Sequence, residues 1–387
     1  MKKKSLGELC DIVSGGTPSR SHIEYWDKGS IPWIKIGNIK GKYVSTSDEY
    51  ITQAGLDGSS AKMLPKGTLL YTIFATLGEV GILTIEACTN QAIAGISIKH
   101  NDEISTDFLY YYLKSKKSYV NKIGRGVAQN NINMSMLRAL EVPVPNIAEQ
   151  SRIVSVLDSV ASVVTIRQQQ LEKLDELVKA RFVEMFGELH YNRHGFKIVS
   201  VEEVCTMVKD GTHQTPQYTT DDIHGFKFLS SKDVMSQKVD WKNIKYIPSE
   251  LHEKLYSTLK PQRDDILMSK NGVNYGVAAV NDSDEVFDIY VSLALLRPKP
   301  IINPIYFRCV INNPDTKEQF DSSIKGIGVP NLHLGEIKKT KILLPPIKLQ
   351  NQFASFVEQT DKSKAAVQES LDEAQLLFDS LMQRYFE

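Results

Sequence analysis

The chain has 387 residues, which is more than one ordinary core accommodates and suits about two to four domains. Its 42% hydrophobic and 24% charged residues describe a soluble globular protein, and no run of roughly 18 apolar residues offers a membrane span. With 46 basic against 46 acidic residues the net charge is zero, so charge alone argues for neither nucleic acid nor a membrane as partner.

In chain order, the basic start MKKKSLGELC lacks the apolar stretch of a signal peptide, which points to the cytoplasm. Cys10, Cys88, Cys205 and Cys309 lie far apart without a C-x-x-C pair, so they are expected reduced and buried rather than ligating zinc. The stretch LCDIVSGGT (Leu9 to Thr17) returns as VCTMVKDGT (Val204 to Thr212), pairing Cys10 with Cys205 and Gly16 with Gly211. IPWIKIGNI (Ile31 to Ile39) returns as FKFLSSKDV (Phe226 to Val234), each reading as a short alternating strand and a turn. Asp107 to Ile123 reads as one helix. GRGVAQNNI (Gly124 to Ile132) is similar to GIGVPNL (Gly326 to Leu332), and each leads to a proline hinge. His190 and His194 have the spacing of a metal pair, but Gly187 and Gly195 bracket a linker there and no acidic third ligand follows.

The hinges themselves match. VPVPNIAEQSRIVSVLD (Val142 to Asp158) aligns with ILLPPIKLQNQFASFVE (Ile342 to Glu358), placing Pro145 on Pro345 and Gln150 on Gln350. The chain is therefore one unit of nearly 200 residues written twice. After each hinge the apolar period becomes helical. Ile153, Leu157, Val160, Val164, Leu171, Leu174, Val178 and Met185 recur at heptad spacing, interrupted by Arg167 and Arg181. The copy reads Phe353, Val357, Val367, Leu371, Ala374, Phe378, Leu381 and Tyr385, interrupted by Thr360 and Lys364. Each stripe left in water would cost on the order of 1.5–3 kcal/mol per large side chain, so the two helices are expected to pair. The organisation expected is α+β: β-rich domains at 1–145 and 190–345, related by an internal pseudo-two-fold repeat, and two long helices at 146–189 and 346–387 forming an antiparallel coiled coil.

Catalytic patterns are thin. Pro314-Asp315 with Glu336-Ile337-Lys338 has the outline of a metal-dependent nuclease, but Glu336 aligns with Met136 and the first copy has no equivalent. No glycine-rich loop follows a strand as a methyltransferase would require. Binding loops are the alternative: SGGTPSRSH (Ser14 to His22) and KDGTHQTPQY (Lys209 to Tyr218) occupy equivalent places and are rich in hydroxyls and amides. Backbone amides, Ser and Thr suit phosphates, and Arg, Asn and Gln suit base edges. The candidate DNA-binding residues are Gly16, Thr17, Ser19, Arg20, Lys35, Asn38, Arg125, Gln129 and Asn130 in the first half. In the second they are Thr212, His213, Gln214, Lys232, Lys270, Asn271, Tyr275 and Asn331, and no catalytic or metal residue is assigned.

At these residues the chain resembles the DNA-specificity subunit of type I restriction–modification systems. SGGTPSRSHIEYW with IPWIKIGNI, TLGEVGIL and TNQAIAGI is similar to that family's first target-recognition domain, and NINMSMLRALEVPVPNIAEQSRIVSVLD to its domain-to-helix junction. The second half is looser, with Leu349-Gln350 where the family prefers Glu-Gln. The resemblance implies two target-recognition domains on a bipartite double-stranded DNA target, and a coiled coil that spaces them and docks methyltransferase subunits, expected to be two. It implies restriction/translocase subunits as further partners. It also places methylation and cleavage, with S-adenosylmethionine, ATP and magnesium, in those partner chains, leaving this one a non-catalytic subunit without cofactor. The competing readings are a standalone DNA-binding regulator and the metal-dependent nuclease.

Overall fold

The computed structural model describes residues 2–124, 131–324 and 330–386. The chain divides into two compact units, Met1–Gln168 with Gln368–Glu387, and Gln169–Val367. The divisions fall inside both long helices, so each helix contributes one end to each unit.

In the first unit a five-stranded sheet has the order Cys10–Ser14, Ile93–Ile98, Leu69–Thr72, Val80–Leu83, Tyr43–Val44. A three-stranded sheet follows the order Tyr50–Ile51, Ile31–Ile34, Cys88–Thr89, and Lys3–Ser5 pairs with Glu141–Pro143. The central strands are apolar on both faces, as Leu69, Leu70, Tyr71 and Ile93 illustrate, because helices and loops cover each side. The stretch Asp107 to Ile123, read as one helix, is two: Thr106–Ser115 and Lys117–Gly124. Lys116 interrupts them as a C-cap whose N–H turns back to the carbonyls of Tyr112 and Leu113.

The second unit repeats the plan. Its four-stranded sheet has the order Cys205–Asp210, Leu293–Pro298, Ile266–Ser269, Ala278–Val280, with a three-stranded sheet of Lys245–Ile247, Phe226–Leu229 and Phe287–Ile289. Lys197–Ser200 pairs with Lys341–Leu344. Local devices recur with the topology. Ser5 and Glu8 form a capping box that starts a one-turn helix burying Leu6 and Leu9; Ser200 and Glu203 do the same for Val201 and Val204. Cys10 and Cys205 are both buried free thiols, and burial pushes each up to about 12. Lys99 Nζ donates to Gly7 O at 2.8 Å, and Lys299 Nζ to Glu203 O at 2.7 Å.

The proline hinges feed helices Ile147–Phe186 and Ile347–Phe386. The repeated glutamine explains the hinge. Gln150 Oε1 accepts from Ser105 N at 2.9 Å while its amide donates to Pro145 O at 2.8 Å and Glu103 O at 2.9 Å. Gln350 Oε1 accepts from Asn303 N at 2.8 Å while its amide donates to Pro345 O at 2.8 Å and Ile301 O at 3.2 Å. Each glutamine is fully buried and stitches the hinge to the cap of the preceding domain helix.

The two long helices pack together within each unit. In the first, Ile153 and Leu157 share a core with Phe378, Met382 and Phe386. In the second, Phe182 and Phe186 share one with Phe353 and Val357. The start of one helix thus meets the end of the other, and they run antiparallel. Lys364, one of the polar interruptions, reaches across to Asp175 at 2.5 Å. Among the described residues no helix is long and apolar enough to cross a membrane.

Candidate nucleic-acid interface

In the first unit the loop after Ser14 is drawn tightly onto the protein. Gly16 N donates to Thr89 O at 2.9 Å, and a Cβ at Gly16 would stand 2.2 Å from Ala61 N. The residue is glycine because backbone passes against backbone. Two tryptophans then hold the loop: Trp33 Nε1 donates to Gly16 O at 2.9 Å and Trp26 Nε1 to Ser19 O at 3.1 Å, with their rings edge-on at 5.1 Å. The Thr17 hydroxyl donates to Gln91, and Ser19 and Ser21 share a hydrogen bond of 2.7 Å.

Arg20 sits over Trp26, its guanidinium carbon 3.6 Å from the ring centroid, and forms an ion pair with Glu49. Lys35 Nζ reaches the same carboxylate at 2.5 Å. The hydrogen bond from Lys35, with that from Arg20 and both positive charges, holds the Glu49 carboxyl below the usual range against a smaller cost of burial. Asn38 accepts from Lys35 N at 2.9 Å and donates to Asp48 at 2.9 Å. The structure therefore brings Gly16, Thr17, Ser19, Arg20, Lys35 and Asn38 into one neighbourhood, organised by Trp26, Trp33 and Glu49. Arg125, Gln129 and Asn130 lie outside the described residues.

In the second unit Gly211 repeats the close approach: a Cβ there would meet Ile289 O at 1.9 Å. Thr212 N donates to Ile289 O at 3.1 Å, and Thr212 Oγ1 accepts from Gln214 N at 3.2 Å. Asp210 plays a part like that of Glu49, with His213 Nε2 at 3.3 Å and Lys270 Nζ at 2.7 Å from one carboxylate oxygen. Burial is the largest single influence and works against ionising Asp210, but the Lys270 hydrogen bond, the Lys270 and His213 charges and a backbone hydrogen bond together outweigh it, leaving the carboxyl below its usual range. His213 is open to solvent, whereas Lys270 is buried. Lys232 is exposed and donates to Asn243 O at 3.2 Å. Asn271 and Asn331 meet in an isolated β-bridge, next to Leu332 N donating to Lys270 O at 2.7 Å. Tyr275 is buried, its hydroxyl on Asp321 and the Lys317 ammonium 3.8 Å over its ring.

Three of the candidate residues hold the loops from inside. Gly16 is packed backbone, Lys270 is spent on Asp210, and Tyr275 is spent on Asp321. Sequence reasoning passed over Trp26, Glu49 and the exposed pair of Tyr218 with Lys245, whose ammonium is 4.0 Å from the ring centroid. Trp26 could have been found as a tryptophan six residues beyond Arg20 in the same loop; Glu49 carried no signal, because an acid is not sought in a loop meant for DNA.

The residues of the nuclease pattern have other occupations. Asp315 accepts from Leu189 N at 2.6 Å, and Glu336 lies 3.6 Å from Lys339. Among the described residues no group of three or more His, Cys, Asp and Glu is placed to hold a metal ion.

The fold and these loops define a duplicated scaffold that presents two different polar, cation-bearing surfaces. A family model described as the type I restriction modification DNA specificity domain matches residues 1–176 and again 194–375, and the chain belongs to that family. It is 26% identical over 375 residues to the type I restriction enzyme MjaIX specificity subunit of Methanocaldococcus jannaschii, covering 92% of this chain and 85% of that one. It is 33% identical over 163 residues to the EcoR124I/EcoR124II specificity subunit of Escherichia coli, a match spanning 40% of this chain and 39% of the relative. Among solved structures, a type I restriction–modification S subunit from M. genitalium is similar in fold, with a TM-score of 0.58 at 15% identity over 100% of this chain and 96% of that one.

Proposed function

We propose that this chain is the part of a type I restriction–modification system that chooses the DNA sequence, each unit reading one half of a bipartite target. The observation that carries the reading is the family match in both halves, on a scaffold whose framework repeats while its loops differ. Ser5–Glu8 and Ser200–Glu203, or Gln150 and Gln350, recur unchanged in role. The first loop carries Arg20 on Trp26, whereas the second carries His213 beside Asp210 and Lys245 over Tyr218. A constant frame with unlike loops is what reading two unlike half-sites requires.

The same reading makes the chain a non-catalytic subunit. Methyltransferase subunits, two for two units, dock along the long helices, and restriction/translocase subunits join them. S-adenosylmethionine, ATP and magnesium then act in those chains. Thr17, Ser19 and Thr212 contact phosphates, and Arg20, Asn38, His213 and Gln214 face bases, with Lys35 and Lys232 supplying the salt-dependent attraction.

The test is to map methylated sites across the genome in cells with and without this chain, then with residues 1–145 replaced by another family member's first domain. One half-site should change and the other persist. A joint change of both half-sites, or no methylation that depends on the chain, refutes the reading.

A further inference from the structure

We infer that Arg20 reads a guanine in the half-site of the first unit, and that Glu49 and Trp26 aim it. This rests on the DNA reading above and adds the base, the residue that meets it and the residues that position that residue.

The Arg20 side chain is 57% exposed, yet its guanidinium is fixed in two respects. The Trp26 ring, 3.6 Å from the guanidinium carbon, restrains one face of the group, and the ion pair with Glu49 restrains its edge. Both supports are themselves anchored. Trp26 donates to Ser19 O and packs edge-on against buried Trp33. Glu49 O accepts from Trp33 N at 2.9 Å and from Ser47 Oγ at 2.8 Å. An exposed arginine ordinarily gives up rotamer freedom when it binds; this one has given up much of it beforehand.

What such a group suits is decided by its neighbours. A phosphate arriving at Arg20 would compete with the Glu49 carboxylate for the same donors and would be repelled by it and by Asp48, which holds Asn38 close by. A base edge is uncharged and asks for no such exchange. Arginine offers donors only, so a two-point contact needs two acceptors side by side, and in the major groove guanine O6 and N7 supply them. The Glu49 pair can persist in that complex. Lys35, on the other oxygen of the same carboxylate, is left to the backbone.

The experiment is methylome mapping in cells carrying the full chain with its partner subunits, for Arg20→Ala, Arg20→Lys and Glu49→Gln. Arg20→Ala and Arg20→Lys should each relax one G·C pair of the first half-site, by about ten- to a hundredfold in preference, and leave the second half-site intact. Glu49→Gln, acting through Arg20, should relax that same position by less. If Arg20→Ala abolishes methylation, competition between duplexes carrying each base pair in turn, bound by purified complex, gives the same readout. Uniform weakening on all sequences, which marks a phosphate contact, would overturn the inference, as would relaxation of different positions by the Arg20 and Glu49 variants. A first half-site without a G·C pair would overturn it too. In those cases the wild-type chain still directs a bipartite pattern and the proposed function stands; loss of that pattern in wild type removes both.

Discussion

Gln350 gives the most quantitative test of why the hinge is repeated. Replacing it by methionine keeps a similar volume and removes three hydrogen bonds, from Asn303 N and to Pro345 O and Ile301 O. At about 1 kcal/mol net for each bond, the second unit should lose about 3 kcal/mol. Alanine should cost more, because it also leaves a cavity where a fully buried side chain stood. The sharpest assay is native-state hydrogen exchange at the Asn303 amide, which donates to Gln350 Oε1. A loss of about 3 kcal/mol corresponds to exchange roughly a hundredfold faster through opening of this unit. Gln150→Met should do the same at Ser105 N in the first unit and leave Asn303 protected. If Asn303 protection in Gln350→Met stays within about threefold of wild type, the hinge is held by its prolines and apolar contacts and the glutamine is incidental.

Three further outcomes follow from other sites. In the second unit His252 Nδ1 lies 2.7 Å from Asp288 Oδ2, and its ring stacks on Phe226 at 3.7 Å. Burial raises the Asp288 carboxyl and the His252 bond offsets this in part, so the folded chain keeps a proton that the unfolded chain has released. Stability contributed there falls as pH rises from about 4 through the raised value; His252→Ala extends that window upward and should cost more at pH 7 than at pH 5 in urea denaturation, equal costs refuting the account. Lys270→Ala should destabilise the second unit by about 2 kcal/mol by leaving Asp210 without its buried partner, while Lys232→Ala should leave stability unchanged and lower the salt slope of DNA binding by about one unit. Anisotropy titrations and thermal melts on the same samples distinguish them, and a reversed pattern refutes the placement of both lysines. Inserting four residues into each long helix adds about 6 Å of rise and should widen the unspecified gap between half-sites by one or two base pairs at about 3.4 Å each, with the half-sites unchanged; an unchanged gap in the methylome refutes the spacer role.

The repeat and the heptad stripe were legible because both are periodic, and periodicity survives sequence drift. Ile153, Leu157, Phe353, Val357, Ala374 and Phe378 are buried as the stripe requires. Phe182, Phe186, Met382 and Phe386 are buried as well and lie off that stripe. A straight helix drifts against a strict seven-residue repeat, and at its ends each helix turns a second face into a domain core. Phe186 stands beside Tyr306 at 4.7 Å and Phe386 beside Phe108 at 5.4 Å. A two-body heptad pattern cannot register a helix that serves three bodies along its length. The break at Lys116 was hidden in a run of polar residues, Lys114 to Ser118, that suits an exposed helix surface as well as a helix end.

The loops were legible in position and misleading in detail. Gly16 and Gly211 align because each must pass against a neighbouring backbone, a requirement of packing that looks in a sequence like a phosphate-binding turn. The zero net charge, which by itself argues for no partner, takes on a local meaning around Glu49 and Asp210. Each carboxylate holds two basic side chains, Arg20 with Lys35 and Lys270 with His213. A loop of unpaired cations would bind any phosphate backbone, and the genome offers far more wrong sites than right ones. On the proposed DNA reading, pairing those cations with fixed acids lowers the attraction that every sequence shares, while the guanidinium of Arg20 keeps the contact inferred for one base pair. In the proposed reading, acids in these loops are therefore part of the means by which a neutral protein chooses among DNA sequences.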